Sequence, residues 1–124
     1  MRTVKPENIV ENCKPFLCCE EEFAAVVLLE KDGKISEVRI LQKGTFSEVC
    51  FDTQSVVKQL ADCGAFAIVL VHNHPNGKVK PSDYDIKITK NLVEECANIN
   101  IAVVDHIILS TSEFFSFADH GVLK

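Results

Sequence analysis

Nowhere do the 124 residues run apolar for the roughly 20 positions that a membrane-spanning helix needs, so no membrane span is expected. Residues 1–19 hold no apolar core ahead of a small-residue cleavage site, and they do not read as an export signal. A CxxC pair is missing, and Cys13, Cys18, Cys19, Cys50, Cys63 and Cys96 keep no regular spacing. Without export, that scatter argues for reduced, mostly buried thiols in a cytoplasmic protein rather than a disulfide framework. Any metal would then rely on imidazole and carboxylate. Internal repeats, low-complexity tracts and a linker between domains are absent as well. So is a basic balance: 13 Lys and Arg against 18 Asp and Glu leave a net charge of −5, the sign of phosphate. Tight nucleic-acid binding is therefore not expected. The lysines that do gather, Lys78, Lys80, Lys87 and Lys90, read as a solvated rim.

What the chain does have is apolar material, 47% of residues, enough to fill one core, and residues 1–124 are read as a single domain. Pro6 opens a short leading helix that Pro15 ends. Phe23 to Leu29 is dense in strand formers, Lys31 to Lys34 make a turn, and residues 35–41 alternate apolar and polar, which predicts a β-hairpin. Asp52 or Thr53 caps a helix carrying Val56, Val57, Leu60 and Ala61 at helical spacing, with Gly64 as its stop. Residues 65–71 form a buried strand that delivers the chain into a polar loop over 72–81. A helix begins at Ser82 and Asp85 and runs to about Asn98, with Ile86, Leu92, Val93, Cys96 and Ala97 available for its buried stripe. A last strand spans roughly 101–109. This alternation predicts an α/β fold, a mixed central sheet flanked by helices.

The informative stretch is HNHPNGKVKPSDYD, starting at His72. Residues two apart at a strand end project to the same side, so His72 and His74 can grip one ion. A hydrolytic zinc site adds a third protein ligand and leaves a position open to water. Asp85 is the obvious third, because Pro75, Gly77 and Pro81 let the chain fold back over the strand end. Two solvated loop histidines are the alternative, and the added carboxylate tips the choice toward metal. Ser82 would stand beside the same ion with a hydroxyl able to donate to a developing oxyanion. Ser82 and Asp85 also have the spacing of a capping box, and the two roles are compatible. Asp105 and His106 read as a buried polar pair supporting the sheet or the site loop. Ser116, Asp119 and His120 are assigned to a closing loop or to a supporting layer behind the site.

The same segment resembles the JAMM signature HxHPx6SxxD, and within it the RadC branch, HNHPSG followed by PSxxD. Further blocks carry the resemblance: KGT from Lys43, DIKITK from Asp85, VDHIIL from Val104 and SFADHG from Ser116. It covers residues 20–123. Asn76 departs from it, standing where the family usually has serine. Full RadC proteins carry an N-terminal helix-hairpin-helix segment, whereas this sequence begins at the JAB/MPN domain. The resemblance implies a JAB/MPN (cytidine-deaminase-like) sandwich with one Zn2+ per chain on His72, His74 and Asp85. It also implies a glutamate before the hairpin that takes a proton from water at the metal. Glu20, Glu21 and Glu22 are candidates, and an ungapped match to the family pattern selects Glu22.

Two functions follow from the resemblance. One is a zinc metallopeptidase cutting peptide or isopeptide bonds in a protein or peptide substrate, with Glu22 as general base and Ser82 holding the tetrahedral intermediate. The other is a noncatalytic or DNA-associated module of the RadC DNA repair type, which the acidic balance opposes. The letters HNH at His72 do not make an HNH nuclease, whose elements lie far apart in sequence. A nucleobase deaminase would need HxE with PCxxC, which is lacking.

Overall fold

Strands apolar on both faces must be covered on both faces, and the FAAVVLL run meets that condition: β1 (Phe23–Leu29) is buried along its whole length. In the computed structural model, which describes residues 5–14, 22–44, 51–74, 78–110 and 113–123, β1 lies inside a five-stranded sheet. The further strands are β2 (Ile35–Lys43), β3 (Ala67–Asn73), β4 (Ala102–Leu109) and β5 (Phe114–Ser116), and the spatial order is β2-β1-β3-β4-β5. β1 pairs antiparallel with β2 and β3, β3 pairs parallel with β4, and β5 closes antiparallel on β4. The sheet is thus mixed and the fold is α/β, as the sequence predicts. Pro15, Glu20, Glu21, Thr45, Pro75, Asn76, Gly77 and the cysteines Cys18, Cys19 and Cys50 lie outside the described residues.

Helices cover both faces. α2 (Thr53–Leu60) and α3 (Asp83–Ala97) supply Val56, Leu60, Ile88, Leu92 and Cys96 to one core layer with Ile68 and Leu70 of β3. α1 (Pro6–Cys13) brings Ile9 and Cys13 against Val69, Val71 and Ile107 on the other. Asp52 caps α2 through its carboxylate, which accepts the Gln54 amide at 3.1 Å. Gly64 follows with φ 75°, a conformation that suits glycine at a helix exit. Among the described residues no helix is long and apolar enough to cross a membrane.

Four expectations shift. β3 reaches Asn73 rather than stopping at Val71, since His72 still pairs with Ala24 and with Ile108, so the first histidine belongs to the sheet and not to a loop. The hairpin's second strand continues to Lys43 along its ladder with β1. β5 is an added strand in a stretch read as loop. The buried stripe of α3 is Asp85, Ile88, Thr89, Leu92 and Cys96, leaving Ala97 exposed, because the inward carboxylate of Asp85 sets which side of the helix meets the sheet.

The ladder between β3 and β4 contains one extra residue. Ile68 faces Val103 but Val69 faces Asp105, so Val104 is accommodated without a partner of its own. Beyond that point His106 stands opposite Leu70, on the face covered by α3, which simple alternation from Val103 would have denied it.

Candidate metal centre

The carboxyl end of β3 and the amino end of α3 meet at one place, and the sequence puts a polar cluster there. His72 is fully buried on the α3 side of the sheet, and His74 follows just beyond the strand, its amide donating to the Leu109 carbonyl at 2.8 Å. α3 starts with a complete capping box: Ser82 Oγ accepts the Asp85 amide at 3.0 Å, and Asp85 Oδ2 accepts the Ser82 amide at 2.9 Å. That reciprocal pair holds the Asp85 carboxylate, 3% exposed, over the strand end.

The three side chains converge. His72 Nε2 lies 2.9 Å from His74 Nε2 and 3.5 Å from Asp85 Oδ1, while His74 Nε2 lies 3.7 Å from Asp85 Oδ2. Ligands in a tetrahedral zinc site with bonds near 2.0–2.1 Å stand about 3.3 Å apart, so this spacing brackets what one ion requires. The tautomers agree with that use. His74 Nδ1 sits 2.7 Å from the Lys78 carbonyl, an acceptor only, so Nδ1 carries the proton and Nε2 presents its lone pair to the cluster. The His74 side chain is 21% exposed and His72 only 1%, so the cluster opens to solvent on the His74 side. This buried His72, His74 and Asp85 group could hold a metal ion.

Behind His72 stands His106. Its Nε2 is 2.8 Å from His72 Nδ1, and its Nδ1 is 2.5 Å from Thr89 Oγ1, which lies 2.7 Å from the backbone carbonyl of Asp85. Burial, and then the neighbouring charges of His106 and His74, hold His72 well below the usual imidazole range. Burial and then His74 bring His106 down to about 3. Both rings are therefore neutral at pH 7. The ring of Phe117 stacks on His106 with centroids 4.4 Å apart and planes tilted by 26°. Asp105 ties down the Phe117 segment, accepting Ser116 Oγ at 2.5 Å and the Ala118 amide at 2.9 Å.

The sequence-selected residues fall as follows. His72, His74 and Asp85 come together. Ser82 is adjacent through the capping box and exposed to solvent. Glu22 stands one residue ahead of β1, half-buried, with the parity of Ala24, the residue paired with His72; its carbonyl accepts the Gly44 amide at 2.7 Å, and its carboxylate is outside the three-residue cluster. The buried supporting reading of Asp105 and His106 agrees with their contacts. Lys78, Lys80, Lys87 and Lys90 are all exposed. Thr89 was missed, although a threonine four residues after Asp85 on one helix face is a spacing that could have marked it.

The RadC-like JAB domain family matches residues 3–122. A UPF0758 protein of Alteromonas mediterranea is 33% identical over 121 residues, an alignment covering 94% of this chain and 54% of that protein. The chain thus spans about half the length of that relative. A match running through nearly every element described above leaves one conclusion, that the chain belongs to the RadC-like JAB domain family.

Proposed function

We propose that this domain is a zinc-dependent hydrolase of peptide or isopeptide bonds acting on a protein or peptide substrate in the cytoplasm. The observation that carries the reading is the convergence of two imidazole nitrogens and one carboxylate at a buried strand end that opens to solvent on one side. His72, His74 and Asp85 would hold the ion. Zinc bound there would polarise a substrate carbonyl and acidify a water molecule at neutral pH.

The chain's own groups divide the remaining work. Glu22, on the His72 side of the sheet, accepts the proton of the attacking water and returns it to the leaving amine. Ser82 accepts the Asp85 amide through its oxygen lone pair, which leaves its hydroxyl hydrogen for a developing oxyanion. The capping box keeps Asp85 from swinging away, so the negative ligand is in place before substrate arrives. His74 stands at the open edge, where substrate would enter.

Elemental analysis of purified protein tests this reading. One zinc per chain is expected, with loss in His72→Ala and in Asp85→Asn, the latter chosen because an amide oxygen can still cap the helix. Full zinc occupancy in both variants would remove the basis of the proposal.

A further inference from the structure

We infer that the cavity between the start of α2 and the first turns of α3 is a specificity pocket, one that receives an aromatic side chain of the substrate from a residue beside the bond to be cut. The inference deepens the hydrolase reading above and rests on it for the identity of the occupant, though the cavity's preference can be measured without metal.

The cavity has a volume of about 320 Å³. That is the low end of the roughly 300–1,000 Å³ typical of ligand pockets, so it takes one large side chain rather than a length of chain. Four of its lining residues, Tyr84, Lys87, Ile88 and Asn91, recur at i, i+3, i+4 and i+7 and so form a single stripe along α3. The neighbouring stripe of the same helix carries Asp85 and Thr89 to the sheet. Asp85 and Ile88 are three residues apart, which brings their Cβ atoms within about 5–6 Å of each other. One helix thus presents a candidate metal ligand on one side and a cavity wall on the next. Ser82, whose hydroxyl oxygen accepts the Asp85 amide, is exposed two residues ahead of Tyr84. A substrate held at His72, His74 and Asp85 therefore has the cavity within reach of a side chain that flanks the bond.

The lining decides what the cavity accepts. Phe51, 4% exposed, and Ile88, 6% exposed, join the half-buried Tyr84 to give apolar walls. Gln54 and Asn91 are exposed and set two carboxamides at the edge, each able to donate and to accept. Asp52 and Lys87 add one charge of each sign. A charged side chain would meet a like charge there together with the opposite one, and a small side chain would leave most of the volume to water. An aromatic ring fills the space against apolar walls, and the carboxamides at the edge can meet the hydroxyl of a tyrosine.

N-acetyl-L-phenylalaninamide is the probe for the metal-free protein. Titrated against 15N-labelled domain, it should bind with a Kd on the order of 1 mM and shift the amide signals of Thr53, Gln54, Ile88 and Asn91. N-acetyl-L-alaninamide at the same concentrations should leave those signals in place. Asn91→Trp adds a ring at an exposed position and plugs the cavity, so the response to the phenylalanine probe should be lost. The zinc-loaded wild-type enzyme, offered a peptide mixture, should cut beside Phe, Tyr or Trp. Alanine in that place should lower kcat/KM about 10- to 100-fold, and Asn91→Trp should erase most of that difference.

A wild-type protein whose four amide signals ignore the phenylalanine probe up to its solubility limit overturns the inference, and that measurement needs no variant to fold. So does an undiminished response in folded Asn91→Trp, or cleavage with no aromatic preference beside the bond. A wild-type protein that takes up no zinc or cuts no peptide instead defeats the hydrolase reading, and the probe titration still decides this one.

Discussion

Acidifying the metal-free domain from pH 7 to pH 5 should strip away a large part of its stability, because two buried imidazoles would have to be charged. The ordinary histidine value is 6.5; His72 is held well below it and His106 falls to about 3, burial being the first cause in both. The sign follows from proton binding. Below pH 6.5 the unfolded chain takes up a proton at each ring and the folded chain does not, so stability is intact above that value and is lost as pH falls. The loss continues until the folded rings protonate, near pH 3 for His106. Integrating from pH 7 to pH 5 gives about 2 kcal/mol for His106, and His72 adds a loss of the same sign. Against a typical total of 5–15 kcal/mol that is a severe cut. Urea unfolding of chelator-treated protein at the two pH values measures it, and with a slope of about 1–3 kcal/mol/M the midpoint should drop by at least about 0.7 M. In His106→Gln the loss on acidification should be smaller by about 2 kcal/mol, whatever the variant's starting stability. Equal midpoints at pH 5 and pH 7, or an undiminished loss in the variant, would refute the reasoning. The range stops at pH 5 because carboxylates begin to titrate below it.

Other outcomes follow from the same geometry. Glu22→Gln should retain fold and zinc but lose about 10²- to 10⁴-fold in hydrolysis rate on any cleavable peptide, and turnover at the wild-type rate would reject Glu22 as the base. Ser82→Ala removes the acceptor of the Asp85 amide and should cost about 1 kcal/mol in denaturant unfolding, whereas an unchanged midpoint would mean the cap contributes nothing. Duplex DNA binding should be weak at physiological salt and weaken steeply as salt rises, given the net charge of −5; tight binding in a fluorescence titration would restore the DNA-associated reading. Cys13 and Cys96, buried and with thiols pushed up to about 11, should resist a thiol reagent in the folded protein and react on unfolding.

Much of this was legible because the local signals agreed with one another. The FAAVVLL run, the hairpin turn and the Asp52 and Ser82 caps each state a backbone preference that the packing does not override, and the elements came out within a few residues. The spacing of His72, His74 and Asp85 was readable since strand ends and helix starts project side chains in fixed directions. The support behind the site was not readable in the same way. His106 reaches His72 only because β4 carries an extra residue, and alternation counted from Val103 puts His106 on the wrong face. Thr89 is a helix residue whose importance lies in a contact with His106, seventeen positions away, which no local pattern encodes. β5 was hidden for a similar reason, since its three residues become a strand by docking on Ile107 to Leu109.

The surplus residue in β4 also governs how the strand tolerates changes in length. Deleting Val104 leaves Val103 opposite Ile68 and Asp105 opposite Val69, so every pairing from there to Leu109 survives and His106 keeps its place. A deletion between His106 and Leu109 has no such slack and must push one side of the strand out of step with β3. A deletion therefore has one address in this strand that keeps the register, two positions ahead of the histidine that stands behind His72, and a relative shorter by one residue in this strand should place its gap there.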